Sequence, residues 1–404
     1  MDKSYELDEL LKWRSEFPIL ESTVYMISNS LGAMPRKVYD RMHQYADTWA
    51  TRGVRAWAEG WWDMAVEAGN DIGKIIGAGR GEVSMHQNVT IAEAIVASCF
   101  DFKPPRNRVV YTDMNFPSVM YFYEAQKNRG AEVVMVPSED GVGVSTEKVL
   151  AAIDERTLLV PISHVLFRSA YIQDAQAIIR HAQRMGAAVV LDVFQSAGIV
   201  PLNLKELEVD FAVGGVLKWL CGGPGGAFLY VRPDLARNLE PSLTGWMAHP
   251  HPFDFEVGPI RYRDDAFRFL NGTPNVPALY AVAPGCDVVS EIGVFKIREK
   301  SMRQTARLME LAAERGFATR TPLDPARRGG TVSIDVPHGY EVSRELLRRN
   351  FVVDYRPNAG IRVSPHFYSK DEELELTVRE MVNILETRAY ERHALPTGTK
   401  AKVT

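Results

Sequence analysis

From about residue 107 to 231 the chain alternates short β-branched apolar runs with amphipathic stretches, and this alternation restricts its fold more than any other feature. The runs cover residues 108–112, 132–136, 157–163, 187–192, 211–214 and 227–231; residues 119–128, 147–153 and 175–185 between them read as helices. Strands that are apolar at nearly every position must be covered on both faces, and helices between consecutive strands make the pairing parallel. The expectation is an α/β fold: a large domain built on a mostly parallel seven-stranded sheet, with ligands at the carboxyl ends of its strands. Past residue 280 the pattern changes to a long helical stretch over 283–315, a strand over 331–336, a helix over 341–349, a short strand over 361–364 and a last helix over 370–388. That predicts a smaller α+β C-terminal domain. The expected division is therefore 1–40, a segment packing on the small domain or a partner; 41–280, the large domain; 281–390, the small domain; and 391–404, a polar tail expected to be disordered.

Composition narrows the function classes. With 404 residues and 46% hydrophobic content, the chain can bury a sizeable core. Its 47 Lys+Arg against 51 Asp+Glu give a net charge of -4, without the basic field that nucleic acid binding requires. No apolar run approaches the roughly 18 residues of a membrane span, and the first residues lack a signal-peptide pattern, so a cytoplasmic location is expected. Cys99, Cys221 and Cys286 are odd in number and widely spaced, which indicates neither a disulfide framework nor a metal site.

The chemistry centres on Lys218, an ammonium wedged between the apolar run 210–217 and the glycine-dense Gly222-Gly-Pro-Gly-Gly226. Desolvation there would lower its pKa toward the range in which an amine attacks an aldehyde. Upstream, the strand over 187–192 ends on Asp192, a carboxylate placed to pair with a protonated pyridine nitrogen. A strand-end lysine can also simply snorkel, and a lone aspartate can be a turn residue. Together the two point to pyridoxal phosphate.

Further polar groups gather at the ends of the same strands. Val89 and Thr90 open an amphipathic helix, whose N-terminal N–H groups and hydroxyl suit a phosphate, although a threonine there also serves as a plain cap. Phe116, in Asn115-Phe-Pro-Ser118, follows a strand and is either a ring stacked on a pyridine or a core residue. Ser163, His164 and Arg168 end another strand. Arg362 projects from the short strand of the small domain, a fork for a carboxylate or one half of an ion pair. Trp57, Trp61, Trp62 and Tyr25 hint at a ring-bearing substrate and serve equally as packing; His249 and His251 rank low as ligands.

These segments resemble the fold-type I pyridoxal-phosphate enzymes of the class V aminotransferase group, and within it kynureninase. The likeness runs through Ile27-Ser-Asn-Ser-Leu-Gly32, Phe116-Pro-Ser118, Ser163-His-Val-Leu-Phe-Arg-Ser169, residues 192–198, the Lys218 segment, Gly245-Trp246, Phe269-Leu-Asn-Gly-Thr-Pro274 and Arg362-Val-Ser-Pro365. The resemblance implies that Val89, Thr90 and Ser118 hold the cofactor phosphate and that Phe116 stacks on its ring. It implies that Asp192 pairs with the ring nitrogen, Ser163 and Gln195 line the cofactor, and Lys218 carries it as a Schiff base. Trp246 and Thr273 would reach the phosphate from the second subunit of a homodimer, while Arg362, with Asn29 and Arg168, would bind the substrate. Two positions depart from kynureninase: Leu217 replaces the tyrosine before the lysine and can neither donate to the phosphate nor move a proton, and Gln195 replaces a histidine. The expected activity is hydrolytic or lyase cleavage at the β-carbon of an α-amino acid such as kynurenine. An aminotransferase, an epimerase on the same scaffold, and a non-catalytic cofactor-binding protein are the alternatives.

Overall fold

Val109 and Tyr111 turn to one side of their strand and Val110 to the other, and all three are buried. The same division recurs at Leu159 against Val160, Val190 against Leu191 and Leu229 against Phe228, so the sheet has an apolar cluster on each face. The computed structural model describes residues 8–394. Its main sheet has seven strands, in the order Val83–His86, Ala227–Val231, Phe211–Gly215, Ala188–Asp192, Thr157–Ser163, Arg108–Thr112 and Glu132–Val136. The last five pair parallel; the first two join antiparallel at one edge. Parallel pairing brings the carboxyl ends to one rim, where Ser163 lies beside Asp192 and Asp192 beside Val213.

A second sheet, of four antiparallel strands, runs Asp354–Arg356, Gly360–Val363, Val332–Asp335 and Ala318–Thr319. Helices Val294–Glu314, Gly339–Arg348 and Asp371–Glu386 supply Leu308, Val342, Leu346, Leu374, Val378 and Met381 to its core. The N-terminal strand Val24–Tyr25 pairs in parallel with Phe351–Val352, and Ile27 bridges to Ser364. Arg14 adds a bidentate bond to Glu373.

Three details differ from the sequence expectations. The stretch read as one helix over 283–315 is two, Val276–Ile292 and Val294–Glu314, set at 81°. Gly293 stands between them with φ +82°, outside the helical region. The first helix starts earlier than expected, so the 280/281 division falls inside it. At the chain end, residues 389–393 form a 3-10 helix with the His393 ring 2.9 Å from Glu345, so the expected tail does not begin at 391; residues 395–404 lie outside the described residues. No single helix among the described residues is long and apolar enough to cross a membrane; the two helices meeting at Gly293 pass that test only as a bent pair.

Candidate active site

Past the strand Phe211–Gly215 the chain bends through residues 216–218 and presents Lys218 at the rim. Three bonds hold this segment, from Val216 N–H to the Gly226 carbonyl at 3.1 Å, from Cys221 N–H to the Lys218 carbonyl at 3.1 Å and from Gly222 N–H to the Val216 carbonyl at 2.8 Å. The N-terminal loop docks on it through Gly32 N–H to the Leu217 carbonyl, 2.8 Å. A Cβ on Gly32 would stand 2.1 Å from the Lys218 carbonyl oxygen, so only glycine permits this approach. Gly215 plays the same part for Phe194, whose ring tip would meet a Cβ at 2.3 Å. The Phe194 ring consequently lies under the amine, with Lys218 Nζ 4.2 Å from its centroid and 5.8 Å from that of Phe116.

Lys218 as a whole keeps some access to solvent, but its amine end is enclosed, and loss of hydration pushes it down to about 7. The Asp192 carboxylate pulls it upward and the Arg362 guanidinium downward. Burial raises the Asp192 carboxyl, against the Phe194 N–H at 2.9 Å, the Lys218 charge and the Ser163 hydroxyl, which lower it. An amine near 7 is about half unprotonated at neutral pH, whereas an ordinary lysine is almost wholly protonated there. The rate at which cofactor-free protein takes up pyridoxal phosphate is therefore expected to rise through about pH 7 and level off above it, as followed by stopped-flow absorbance. A rate still climbing at pH values near an ordinary lysine pKa would contradict the enclosed amine.

Two helix N-termini face the same rim. In Val89–Ser98, Asn88 caps Ile91 N–H at 3.1 Å, while Val89 and Thr90 occupy the first turn with the Thr90 side exposed. In Pro117–Ala125, Phe116 is the N-cap residue without a side-chain cap, and the partly buried Ser118 sits in the first turn. Both ends offer N–H groups and a hydroxyl to an anion.

On the opposite wall, the fork of Arg362 is already engaged. Its Nε donates to Asp354 at 2.8 Å, its Nη2 pairs with the same carboxylate, and its Nη1 donates to the Phe167 carbonyl at 2.7 Å. Arg362 is thus one half of a buried ion pair within its own sheet, with only its outer Nη edge left to meet a carboxylate. Arg356 shares Asp354 at 3.2 Å, which leaves two guanidinium groups against one carboxylate. Arg168 lies over the Phe167 ring at 5.3 Å, and that ring meets Phe116 edge-on at 5.2 Å. Gln195 donates to the Asn29 carbonyl at 2.9 Å and accepts from Trp219 Nε1 at 3.0 Å, retaining one N–H. Asn29 is 1% exposed, and neither side-chain atom of its amide has a partner among the described residues.

The structure therefore brings Lys218, Asp192, Ser163, Phe116, Gln195, Asn29, Arg168 and Arg362 around one rim. Trp246 and Thr273 stand apart. Trp246 packs edge-on against Trp62 and Phe253, and the exposed Thr273 lines a groove with Gln87 and Leu279. Phe194, Asp354 and Arg356 were not anticipated from the sequence. The alternation Asp354-Tyr355-Arg356, which puts both charges on one face of the strand next to Arg362, is the signal that could have found the last two.

The family model for aminotransferase class-V matches residues 24–375. The chain belongs to this family. An uncharacterized aminotransferase, YcbU, of Bacillus subtilis is 33% identical over 92% of the chain and 96% of its own length. Kynureninase of Pseudomonas fluorescens is 32% identical over 86% of each chain, and kynureninase of Burkholderia pseudomallei 30% over 98% and 97%. Among solved structures, a cysteine desulfurase from Thermococcus onnurineus superimposes with a TM-score of 0.83 at 22% identity, covering 93% of this chain and 98% of that one. The cystine C-S lyase C-DES does so at 0.81 and 18%, covering 90% and 99%. This class-V protein is a pyridoxal 5'-phosphate-dependent enzyme of fold type I. Its residues fit the cofactor: a ring nitrogen cation answers the under-compensated Asp192 charge, and the buried side-chain amide of Asn29, whose backbone carbonyl accepts from Gln195, is left without a partner of its own among the described residues.

Proposed function

We propose that this enzyme cleaves an α-amino acid at its β-carbon, in the manner of a kynureninase-like hydrolase or lyase. The observation that carries the amino-acid chemistry is the Lys218 amine, enclosed at the strand rim 4.2 Å from the Phe194 ring and 5.8 Å from that of Phe116, where burial lowers it to about 7. One group can then anchor the cofactor and afterwards exchange the Cα proton, while Arg362 directs the substrate carboxylate toward it through its outer Nη edge. When bound, pyridoxal 5'-phosphate supplies the electron sink for the charge that develops at Cα. Asp192 sustains that sink by keeping a negative charge at the ring nitrogen. Thr90, Ser118 and the two helix N-termini hold the phosphate, and Phe116 covers one face of the ring. The Phe194 ring, 4.2 Å from the Lys218 amine, keeps water from it, and together with Phe167 it suits an aryl side chain. The likeness to two kynureninases along most of the chain supports cleavage at Cβ.

A transaminase or epimerase is the second reading, favoured by Leu217. Its side chain cannot relay a proton to a leaving carbon, a step that neither transamination nor epimerisation requires. We place the complete site in a homodimer, with Trp246 and Thr273 reaching the phosphate of the second copy. Trp246, Trp49, Val54, Phe253 and Phe255 are 36–81% exposed in the single chain, a concentration of large apolar groups that a second copy would cover. The deciding experiment gives the holoenzyme L-kynurenine and then a panel of amino acids, with product analysis. Anthranilate and alanine are expected; turnover of other amino acids by transamination or epimerisation alone would replace the first reading with the second.

A further inference from the structure

Trp219 follows Lys218 in the chain and is 1% exposed. Its socket is cut to its size. A Cβ on Gly330 would stand 2.8 Å from the ring atom Cη2, and one on Gly198 would stand 3.1 Å from the Trp219 carbonyl oxygen, so both glycines leave room that the residue fills. The small domain braces it from behind. His366 Nε2 lies 2.8 Å from the Trp219 carbonyl, and the two rings meet edge-on with centroids 5.4 Å apart. A carbonyl only accepts, so this imidazole carries its proton on Nε2.

Thus fixed, the indole is aimed at Gln195. Its Nε1–H donates to Gln195 Oε1 at 3.0 Å, while Gln195 Nε2 donates to the Asn29 carbonyl at 2.9 Å. These two partners settle which end of the amide is which. An indole nitrogen offers only a proton and a carbonyl only lone pairs, so turning the amide over would set N–H against N–H at Trp219 and oxygen against oxygen at Asn29. Held at both atoms, the side chain has one N–H left to give. Gln195 lies three residues past Asp192, in a turn closed on the Val193 carbonyl by Ser196 N–H at 3.0 Å and Ala197 N–H at 2.9 Å. The remaining donor therefore issues from the turn that joins Asp192 to Phe194, the ring under the Lys218 amine.

We propose that Trp219 is a positioning residue: by holding the carbonyl end of Gln195, it makes that side chain present a hydrogen-bond donor to the phenolic oxygen of bound pyridoxal phosphate. The inference rests on the cofactor binding at this rim and not on which amino acid is the substrate. A donor at that oxygen stabilises its negative charge and lowers the proton affinity of the lysine-bound nitrogen beside it. Without the indole bond the amide is held at one atom only, pivots about its bond to Asn29, and takes the donor away from the oxygen.

Absorbance of the cofactor-loaded protein against pH reads that proton affinity. Gln195→Met, which keeps the length of the side chain without either polar end, should raise the midpoint by about one pH unit. Trp219→Phe, which keeps an aromatic ring in the socket and removes the N–H, should raise it by a similar amount, and the double variant should go no higher than Gln195→Met alone. An unmoved midpoint in Trp219→Phe, or a double variant that shows the sum of the two shifts, makes Trp219 a packing residue and overturns the proposal. An unmoved midpoint in Gln195→Met means that this amide does not reach the cofactor, and the proposal falls with it. If the wild type takes up no pyridoxal phosphate, the assignment of the rim to the cofactor fails first. A second measurement needs no change at Trp219, whose replacement could cost the fold. In isotopically labelled, cofactor-loaded wild type, the indole N–H resonance that Gln195→Met displaces should shift with the same midpoint as the absorbance. An indole resonance indifferent to that titration sinks the proposal even where Trp219→Phe does not fold.

Discussion

Lys218→Ala is expected to reduce turnover by about 10³-fold or more, because one amine serves as both the cofactor's attachment and the base at Cα. The variant should still bind pyridoxal phosphate through the helix N-termini and Asp192, so its absorbance should be that of the free aldehyde rather than of a lysine-bound chromophore. The scaffold should tolerate the change. The amine is desolvated between Phe116 and Phe194, and its removal takes an ill-solvated amine out of the rim rather than breaking a structural bond. Melting of the cofactor-free variant should match or exceed that of wild type. A Lys218→Ala protein that keeps near-normal turnover would place the reactive amine elsewhere and overturn the site.

The second large effect is expected at Asp354, a residue with no contact to the cofactor rim except through its partners. It is fully buried and holds Arg362, itself 3% exposed, by two hydrogen bonds, and it also faces Arg356. Removing one member of a buried pair leaves the other charge uncompensated, at about 3–5 kcal/mol. Asp354→Ala should therefore unfold at markedly lower denaturant. Asp354→Asn, which retains one acceptor, should fold and show a raised KM with a smaller change in kcat, because Arg362 would no longer be held toward the Phe167 carbonyl. An unchanged KM in a folded Asp354→Asn protein would mean that Arg362 does not orient the substrate carboxylate.

How far the sequence reveals these features depends on the range of the interaction. Strands buried on both faces announce themselves by composition, so the runs ending at Thr112, Val136, Ser163 and Asp192 are legible without a structure. The seventh strand, Val83–His86, is not: it has four residues, and Ser84 and His86 satisfy each other across two positions, which reads as loop chemistry. The Gly293 break was hidden because helical periodicity continues on either side of a single residue. Lys218 and Asp192 were legible because a charge at the end of an apolar run stands out. The partners of Arg362 were not, since Asp354 acquires its meaning only from the antiparallel register that sets it opposite Arg362. Phe194 was hidden by ordinary-looking chemistry; its place under the amine depends on the missing side chain of Gly215.

The tryptophans beside Trp246 make the enzyme its own optical gauge. Trp57 stacks on Trp62 with centroids 4.4 Å apart, Trp61 stands edge-on to Trp57 at 5.2 Å, and Trp246 edge-on to Trp62 at 5.1 Å. Rings this close share excitation, so light absorbed by any of the four can migrate to Trp246. If Trp246 reaches the neighbouring subunit's cofactor, the pyridoxal chromophore drains that antenna only in the assembled enzyme. Native fluorescence would then register subunit separation and cofactor loss as two distinct recoveries of emission, without a label.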